Sequence, residues 1–278
     1  MSSLSLSEQL TFSTIRIECE LSDGSISTGT GFFFRFCDDG QTNIPAIVTN
    51  KHVVADAVRG RLHFNVSDAS GNPQEAKHNW IVIEDFEASW VMHPLKEIDL
   101  CIMPILPIIN HLNMQNVEPF FISLDSSLLI DDEYLKGLNS IEDILMIGYP
   151  NGIWDSINNM PIVRRGVTAT HPGLNYNGRK EFMIDAACFP GSSGSPVFLY
   201  NPASYNDKKG NTIFQNRIKL LGVLYAGPQH TATGDIEIIN VPTNQKPISI
   251  SRIPNNLGII IKSFLLKDFD SLLRDISR

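Results

Sequence analysis

Short runs of alternating apolar and polar residues, separated by turn signals, dominate the start of the chain. Residues 12–18, 28–36 and 44–49 favour β-branched and aromatic side chains, and Asp23-Gly24 and Asp38-Asp39-Gly40 separate these runs. Similar runs follow at residues 61–66, 80–83 and 99–105. Such regular spacing of short strands and turns predicts an all-β barrel or sandwich.

A mixed stretch between residues 106 and 142 interrupts this pattern, and we interpret it as a connection between two halves, with a short helix within residues 126–140. The strand pattern then resumes at residues 144–148, 161–170, 181–187, 196–200, 218–226, 236–241 and 257–261. Residues 201–217 are polar and predict an exposed hairpin. Residues 227–254 form a long polar excursion with one strand inside it.

Residues 262–277 have helical rather than strand spacing. Apolar residues recur there on one stripe: Phe264, Leu265, Phe269, Leu272, Leu273 and Ile276. A stripe of this width predicts an amphipathic helix that packs on the second half of the chain.

Charge and composition limit the partners of this chain. Its 22 basic and 30 acidic residues give a formal net charge of −8, which disfavours general binding to nucleic acid. No run of about 18 apolar residues occurs, so we expect no membrane span. The start of the chain lacks the basic and apolar regions of a secretory signal.

The four cysteines show neither a C-x-x-C pair nor the spacing of metal ligands. Free, mostly buried thiols are the default for such cysteines in a reducing compartment. Together with the missing signal, this predicts a cytoplasmic protein.

A turn rich in glycine and serine, residues 189–198, lies between two apolar runs. Small residues let such a turn point several backbone N–H groups into one small space. Ser193 lies in its centre, where a hydroxyl that faces convergent N–H donors has the arrangement that acyl transfer needs. An ordinary hairpin turn is the alternative interpretation of this segment.

A serine nucleophile needs a base, and His52 is the best candidate among the seven histidines, because it directly follows the apolar run 44–49. His63 alternates with apolar residues and is interpreted as a satisfied structural histidine. The other five lie in polar or loop-like stretches and are interpreted as exposed: His78, His93, His111, His171 and His230. No pair has the spacing of a helical metal site, so we expect no metal.

A base also needs a carboxylate that fixes its tautomer, and Asp99 fits this role because it opens an apolar run. A partly buried carboxylate requires a partner. A strand cap or a salt bridge is the alternative role for Asp99.

Histidine, aspartate and G-x-S-G-x-P occur in that order, with wide gaps, and this resembles the chymotrypsin-like serine peptidases. The individual motifs are most similar to those of the HtrA/Deg branch and related bacterial trypsin-like peptidases. T-N-x-H-V corresponds to residues 49–53, D-L to Asp99-Leu100, and D-A-A-x-x-P-G-x-S-G-x-P to residues 185–196. The weaker G-x-P-x-G corresponds to residues 148–152.

The resemblance implies two packed six-stranded antiparallel β-barrels, residues 1–115 and 116–278, followed by the C-terminal helix. It also implies a serine endopeptidase with His52 as general base, Asp99 as its orienter and Ser193 as nucleophile. The backbone N–H groups of Gly191 and Ser193 would form the oxyanion hole. This chemistry requires no cofactor, and its partner is a protein or peptide substrate.

By the same resemblance, Ala187 is the base of the specificity pocket, and an uncharged base disfavours Lys and Arg in the substrate. The other expected lining residues are Leu224, Tyr225, Ala226, Gly227 and Gly258. We therefore predict cleavage after small or medium apolar residues.

The chain also departs from the family. It has no N-terminal activation sequence, and Ser192 stands where an aspartate would pair with a freed N-terminus, so we expect any control of activity to act through ordering of the loops 227–254 or 149–161. The sequence ends at Arg278 without the PDZ domain of typical HtrA proteins, and it leaves room for a regulatory protein partner. A catalytically silent fold that binds peptides or serves as a scaffold is the alternative function.

Overall fold

Two antiparallel sheets make up most of the molecule. The computed structural model describes residues 4–235 and 248–276, with the backbone alone described for residues 229–235, 248–254 and 276. The first sheet contains β1 (Thr14–Leu21), β2 (Ile26–Phe36), β3 (Ile44–Thr49), β4 (Ala57–Ser67), β5 (Pro73–Glu84), β6 (Val91–Met92), β7 (Cys101–Pro104) and β8 (Pro119–Phe120). The second contains β9 (Asp143–Gly148), β10 (Ile162–Thr168), β11 (Glu181–Asp185), β12 (Pro196–Asn201), β15 (Arg217–Ala226) and β18 (Leu257–Lys262).

Four further strands form two separate hairpins. These are β13 (Tyr205–Asn206) with β14 (Thr212–Ile213), and β16 (Gln229–Asp235) with β17 (Ile248–Pro254). The first is the expected hairpin within residues 201–217. The expected strand at residues 236–241 lies outside the described residues.

The first sheet has eight strands in the order β5-β4-β1-β2-β3-β7-β6, with β8 beside β4. The predicted closed six-stranded barrel is not found in the described residues of this half, because the two outer strands of that order do not pair with each other. One of them, β6, is two residues long and offers too few ladder hydrogen bonds to close the sheet.

The second sheet closes completely, in the order β10-β11-β18-β15-β12-β9 and back to β10. A six-stranded barrel in this half is therefore confirmed. Alternate side chains of its strands fill the interior, among them Met146, Phe182, Val197 and Leu221.

Strand β2 connects the two halves through its side chains. Phe32, Phe34 and Phe36 share one face and pack in a cluster with Phe198 and other residues of the second half. Gly29, also in β2, has no room for a side chain, since an added Cβ would lie 2.4 Å from Val53 Cγ1. The small residue lets the short helix α2 (Lys51–Val54) pack directly on this strand.

The connection between the sheets contains α3 (Leu106–Met114) and α4 (Asp132–Gly137), and the latter is the helix expected within residues 126–140. Because β8 pairs with β4, the chain still belongs to the first sheet at Phe120. The boundary at residue 115 stays a prediction.

The chain continues from β18 through a short 3₁₀ turn (Ser263–Lys267) into α5 (Asp268–Ile276), which confirms the C-terminal helix. The helix packs on the first half as well as the second. The ring centroids of Phe269 and Phe36 are 5.8 Å apart, and the Asp270 carboxylate accepts the backbone N–H of Cys37 at 2.6 Å. None of the described helices is long and apolar enough to cross a membrane. A shorter α1 (Leu6–Thr11) precedes β1.

Candidate active site

His52 lies in the first turn of α2, directly after β3 ends at Thr49. Its Nδ1 is 2.5 Å from Oδ2 of Asp99, and its backbone N–H donates to Oδ1 of the same carboxylate at 3.1 Å. Asp99 therefore uses both oxygens to hold one histidine. The half-exposed ring keeps Nε2 without a hydrogen bond to any described residue, so this nitrogen is available to a reactant.

The segment before Asp99 is held from the same side. The amide of Asn50 donates to the Asp99 carbonyl at 2.7 Å. The ammonium of Lys51 donates to the carbonyls of His93 and Leu95 at 3.2 and 3.1 Å. Because Asn50 and Lys51 directly precede His52, the same short stretch of chain positions both the imidazole and its carboxylate.

Ser193 lies in a tight turn that depends on two glycines. The carbonyl of Phe189 accepts the N–H of Ser192 at 3.0 Å, and Gly191 between them has a φ of +81°. Gly194 has a φ of +86°, and a Cβ there would lie 1.9 Å from the backbone oxygen of Thr30. Glycine is therefore required next to Ser193 for its conformation and for space.

Thr30 of β2 connects this turn to the first half of the molecule. Its N–H donates to the Ser193 carbonyl at 2.9 Å, and its hydroxyl donates to the Gly191 carbonyl at 3.0 Å. The same hydroxyl accepts the N–H of Tyr149 at 3.0 Å. The Thr30 carbonyl accepts the hydroxyl of Thr49, the last residue of β3 before the segment that carries His52. These bonds link the serine turn, through β2, to the residue that precedes the histidine segment.

The N–H groups of Gly191 and Ser193 make no hydrogen bond within the described part of the chain, and two open donors of this kind suit an oxyanion. The Ser193 hydroxyl faces the carbonyl of Tyr225 at 3.5 Å. This hydroxyl makes no hydrogen bond to His52.

A cavity of about 300 Å³ opens beside Ser193. Its lining consists of Cys188, Phe189, Pro190, Ser193, Leu224, Tyr225, Ala226, Gly227 and Pro228. Four residues expected in the specificity pocket are thus present, whereas Ala187 and Gly258 lie outside the lining. Gly258 lies behind it, since an added Cβ would be 2.6 Å from Cys188 Sγ.

Cys188 contributes to this cavity although the sequence reasoning passed over it; its place directly after Ala187 in the motif was the available signal. Burial raises the pKa of its thiol to about 12, so the sulfur is a neutral atom of the cavity wall rather than a thiolate. Burial, followed by the neighbouring Glu181, also raises the pKa of Tyr225 to about 12. The two titratable groups of the lining are therefore uncharged at neutral pH.

Four other histidines differ from their interpretation, and two of them, His78 within β5 and His171, are partly buried instead of exposed. His63 is buried within β4, but both ring nitrogens lack a hydrogen bond and Nε2 lies 3.6 Å from the Glu18 carboxylate, so it is structural without being satisfied. His93 was expected to be exposed, but 0% of its side-chain surface is accessible. The side chain of His230 lies outside the description.

No group of three or more His, Cys, Asp or Glu side chains in the described ranges is arranged to hold a metal ion.

The sequence matches the family described as trypsin-like peptidase domain over residues 29–201, well over half of the chain. The chain belongs to the trypsin-like peptidase family. It is therefore a trypsin-like serine protease.

Several solved structures are similar to this chain at low identity. An inactive-form mutant of Rv3671c from M. tuberculosis H37Rv is 14% identical with a TM-score of 0.43, and the match covers 98% of this chain and 89% of that one. The HtrA-type protease AlgW with tripeptide is 14% identical with a TM-score of 0.48, covering 96% of this chain and 61% of AlgW. A serine endoprotease from Yersinia pestis is 14% identical with a TM-score of 0.47, covering 99% and 69%. No curated protein matches the sequence.

Proposed function

We propose that this protease cleaves peptide bonds within protein or peptide chains through an acyl-enzyme, with His52 as base, Asp99 as orienter and Ser193 as nucleophile. The observation that carries the proposal is the 2.5 Å contact between His52 Nδ1 and Asp99 Oδ2. A carboxylate on Nδ1 places the ring proton there, so Nε2 carries the lone pair that a general base needs.

The proposed reaction starts with a rotation of the Ser193 hydroxyl away from the Tyr225 carbonyl and towards His52, a side-chain movement that is fast compared with catalysis. Catalytic hydrogen bonds are often loose before substrate binds. As Ser193 Oγ attacks the substrate carbonyl carbon, its proton passes to Nε2 of His52. The negative carbonyl oxygen then accepts hydrogen bonds from the open N–H groups of Gly191 and Ser193.

The imidazolium of His52 donates its proton to the leaving amine, so the peptide bond breaks and an ester to Ser193 remains. Water then attacks this ester, with His52 again as base, and returns the free serine. Asp99 stays ionised throughout and stabilises the imidazolium in both steps.

The cavity beside Ser193 supports a preference for small or medium apolar residues before the scissile bond. Leu224, Ala226 and Cys188 present apolar atoms, and no acidic side chain lines the cavity to pair with Lys or Arg. The backbone of residues 224–227 borders the same space, and an extended substrate can pair with it by strand addition.

Labelling with a fluorophosphonate tests the nucleophile. We expect the wild type to be labelled and Ser193→Ala to be unlabelled, with hydrolysis reduced on the order of 10⁶-fold. Ser192→Ala is the matched control, because this neighbouring hydroxyl is buried without a hydrogen-bond partner. A wild type that resists the probe would instead favour the catalytically silent binding module.

A peptide-library digest tests the substrate preference. Cleavage after Ala, Val or Leu agrees with the proposal, and cleavage chiefly after Lys or Arg contradicts it. We also propose a reducing, cytoplasmic location, which the four free cysteines support. Fractionation of cells that express the tagged protein tests this point.

A further inference from the structure

His93 is a buried histidine outside the proposed triad, at the point where the first half meets the C-terminal helix. Its ring packs edge-on against Phe269 of α5 at 5.2 Å. Its Nε2 lies 3.3 Å from the Leu265 carbonyl and 3.3 Å from Oδ2 of Asp268. His93 therefore touches the beginning of the helix from the side of the first sheet.

The hydrogen bonds of His93 define its tautomer. The backbone N–H of Leu95 donates to Nδ1 at 3.1 Å, so this nitrogen carries the lone pair and the ring proton lies on Nε2. Burial lowers the pKa of His93, with Asp268 opposing this shift and Lys51 adding to it. A neutral ring of this tautomer satisfies Leu95 and the helix at the same time.

Leu95 passes this restraint on to the proposed active site. While its N–H is held by His93, its carbonyl accepts the Lys51 ammonium at 3.1 Å and the N–H of Ile98 at 3.2 Å. Asp99 follows Ile98, and its carboxylate binds His52. One hydrogen-bonded turn, residues 93–98, thus separates the imidazole of His93 from the carboxylate that orients the base.

We propose that His93 is a positioning residue, which fixes this turn against the C-terminal helix so that the Asp99 carboxylate meets Nδ1 of His52. The inference rests on the proposed function of Asp99 and His52. It assigns the helix a part in catalysis: α5 and the preceding turn supply the surface against which the orienting carboxylate is held.

Two substitutions separate this role from simple packing. The side-chain oxygen of His93→Asn can occupy the place of Nδ1 and accept the Leu95 N–H, whereas His93→Gln reaches the place of Nε2 and leaves that N–H without its acceptor. Both variants remove the same ring and the same titratable group. Any difference between them therefore reports on the hydrogen bond to the turn.

We expect His93→Gln to lower kcat about tenfold with little change in KM, and His93→Asn to recover most of this loss. The acid limb of the kcat/KM profile should move to lower pH in the glutamine variant, because a displaced carboxylate stabilises the imidazolium less. Lys51→Met, which releases the carbonyls of Leu95 and His93 but keeps the His93 imidazole, should lower kcat in the same way.

His171 provides a matched control. It also begins a His-Pro-X turn, and its Nδ1 accepts the N–H of Gly173 at 3.0 Å, but it lies in the second half away from Asp99. We expect His171→Gln to keep the wild-type kcat and pH profile.

Each rate is divided by the fraction of protein that is folded, which is taken from the thermal unfolding curve of the same variant. All rates are measured at a temperature well below the unfolding midpoint of each variant. The proposal is overturned if the asparagine and glutamine variants lose kcat equally, or if both variants and Lys51→Met lose only stability. A wild type without hydrolysis or labelling refutes the proposed function instead, and that result is recognised before any His93 variant is compared.

Discussion

The two sides of the proposed active site are held in different ways. On the histidine side, Asp99 binds His52 through both carboxylate oxygens, and Asn50 and Lys51 tie down the segment around Asp99. On the serine side, the Ser193 hydroxyl faces the Tyr225 carbonyl, and the two candidate oxyanion donors make no hydrogen bond within the described chain.

This difference indicates that the serine side is the one that must rearrange before the proposed reaction can start. His52 and Asp99 are already in contact, whereas the serine turn is held by Thr30 and by Asn151, whose N–H donates to the Pro190 carbonyl at 2.5 Å. Control of activity would then act on the serine side, through the segment that follows Tyr149. Control through ordering of the loops 227–254 or 149–161 remains a prediction.

The largest expected loss of kcat among these predictions is that of Asp99→Asn, which disrupts the histidine side. An amide in this place stabilises the wrong tautomer of His52 and no longer stabilises its imidazolium, so we expect kcat to fall about 10⁴-fold without loss of fold. The control is Asp125→Asn, since Asp125 is similarly shielded but pairs with Arg35 at 2.8 Å. Equal rates for the Asp99 variant and wild type, measured on the best library peptide, would exclude the triad.

Gly194→Ala should break the serine side. The new Cβ would meet the Thr30 carbonyl at 1.9 Å and the Thr49 hydroxyl at 2.5 Å, so the turn must move and misplace Ser193. We expect fluorophosphonate labelling to slow at least about 10²-fold, as for loss of an oxyanion donor. Gly24→Ala is the control, because Gly24 has a similar φ of +80° with nothing within 4 Å. Equal labelling of the two variants would show that the turn tolerates displacement.

The tight conformation of the serine turn could be predicted from sequence, because its requirements are local. Positive φ and close backbone contact require glycine at positions 191 and 194, and both requirements are visible in a short sequence motif. His93 could not be placed in this way. The partner that buries it lies 172 residues further along the chain, and His-Pro by itself resembles an exposed turn.

The fold shows the same limit. Alternation in single strands predicted most of the β structure, but barrel closure depends on which distant strands pair. The second half closes because β12 pairs with β9 along Val197–Leu199, whereas the first ends at the two-residue β6. Local pattern does not distinguish these outcomes.

Thr30→Val should weaken the link between the two sides. Valine keeps the shape but leaves the Tyr149 N–H and the Gly191 carbonyl without the hydroxyl that binds both. An unsatisfied buried group costs about 1–3 kcal/mol, so we expect a lower melting temperature and about tenfold slower labelling. Thr30→Ser retains the hydroxyl and should restore both. A serine variant as impaired as the valine variant would point to the methyl group instead.

The smallest expected effect concerns acid stability next to the serine side. Glu18 lies beside His63 and Arg16, which lower the pKa of its carboxyl to about 2, and Arg16 stacks on Trp154 of the segment that follows Tyr149. Because the folded pKa lies below the ordinary value of about 4.3, Glu18 contributes stability above that pH and loses it as pH falls towards 2. Glu18→Gln should therefore lower the melting temperature at pH 7 by a few degrees and flatten its decrease between about pH 5 and pH 2. Glu20→Gln, at the more exposed pair with Arg59, should change neither, and an unaltered acid profile in Glu18→Gln would show that this carboxylate does not contribute to the acid dependence of stability.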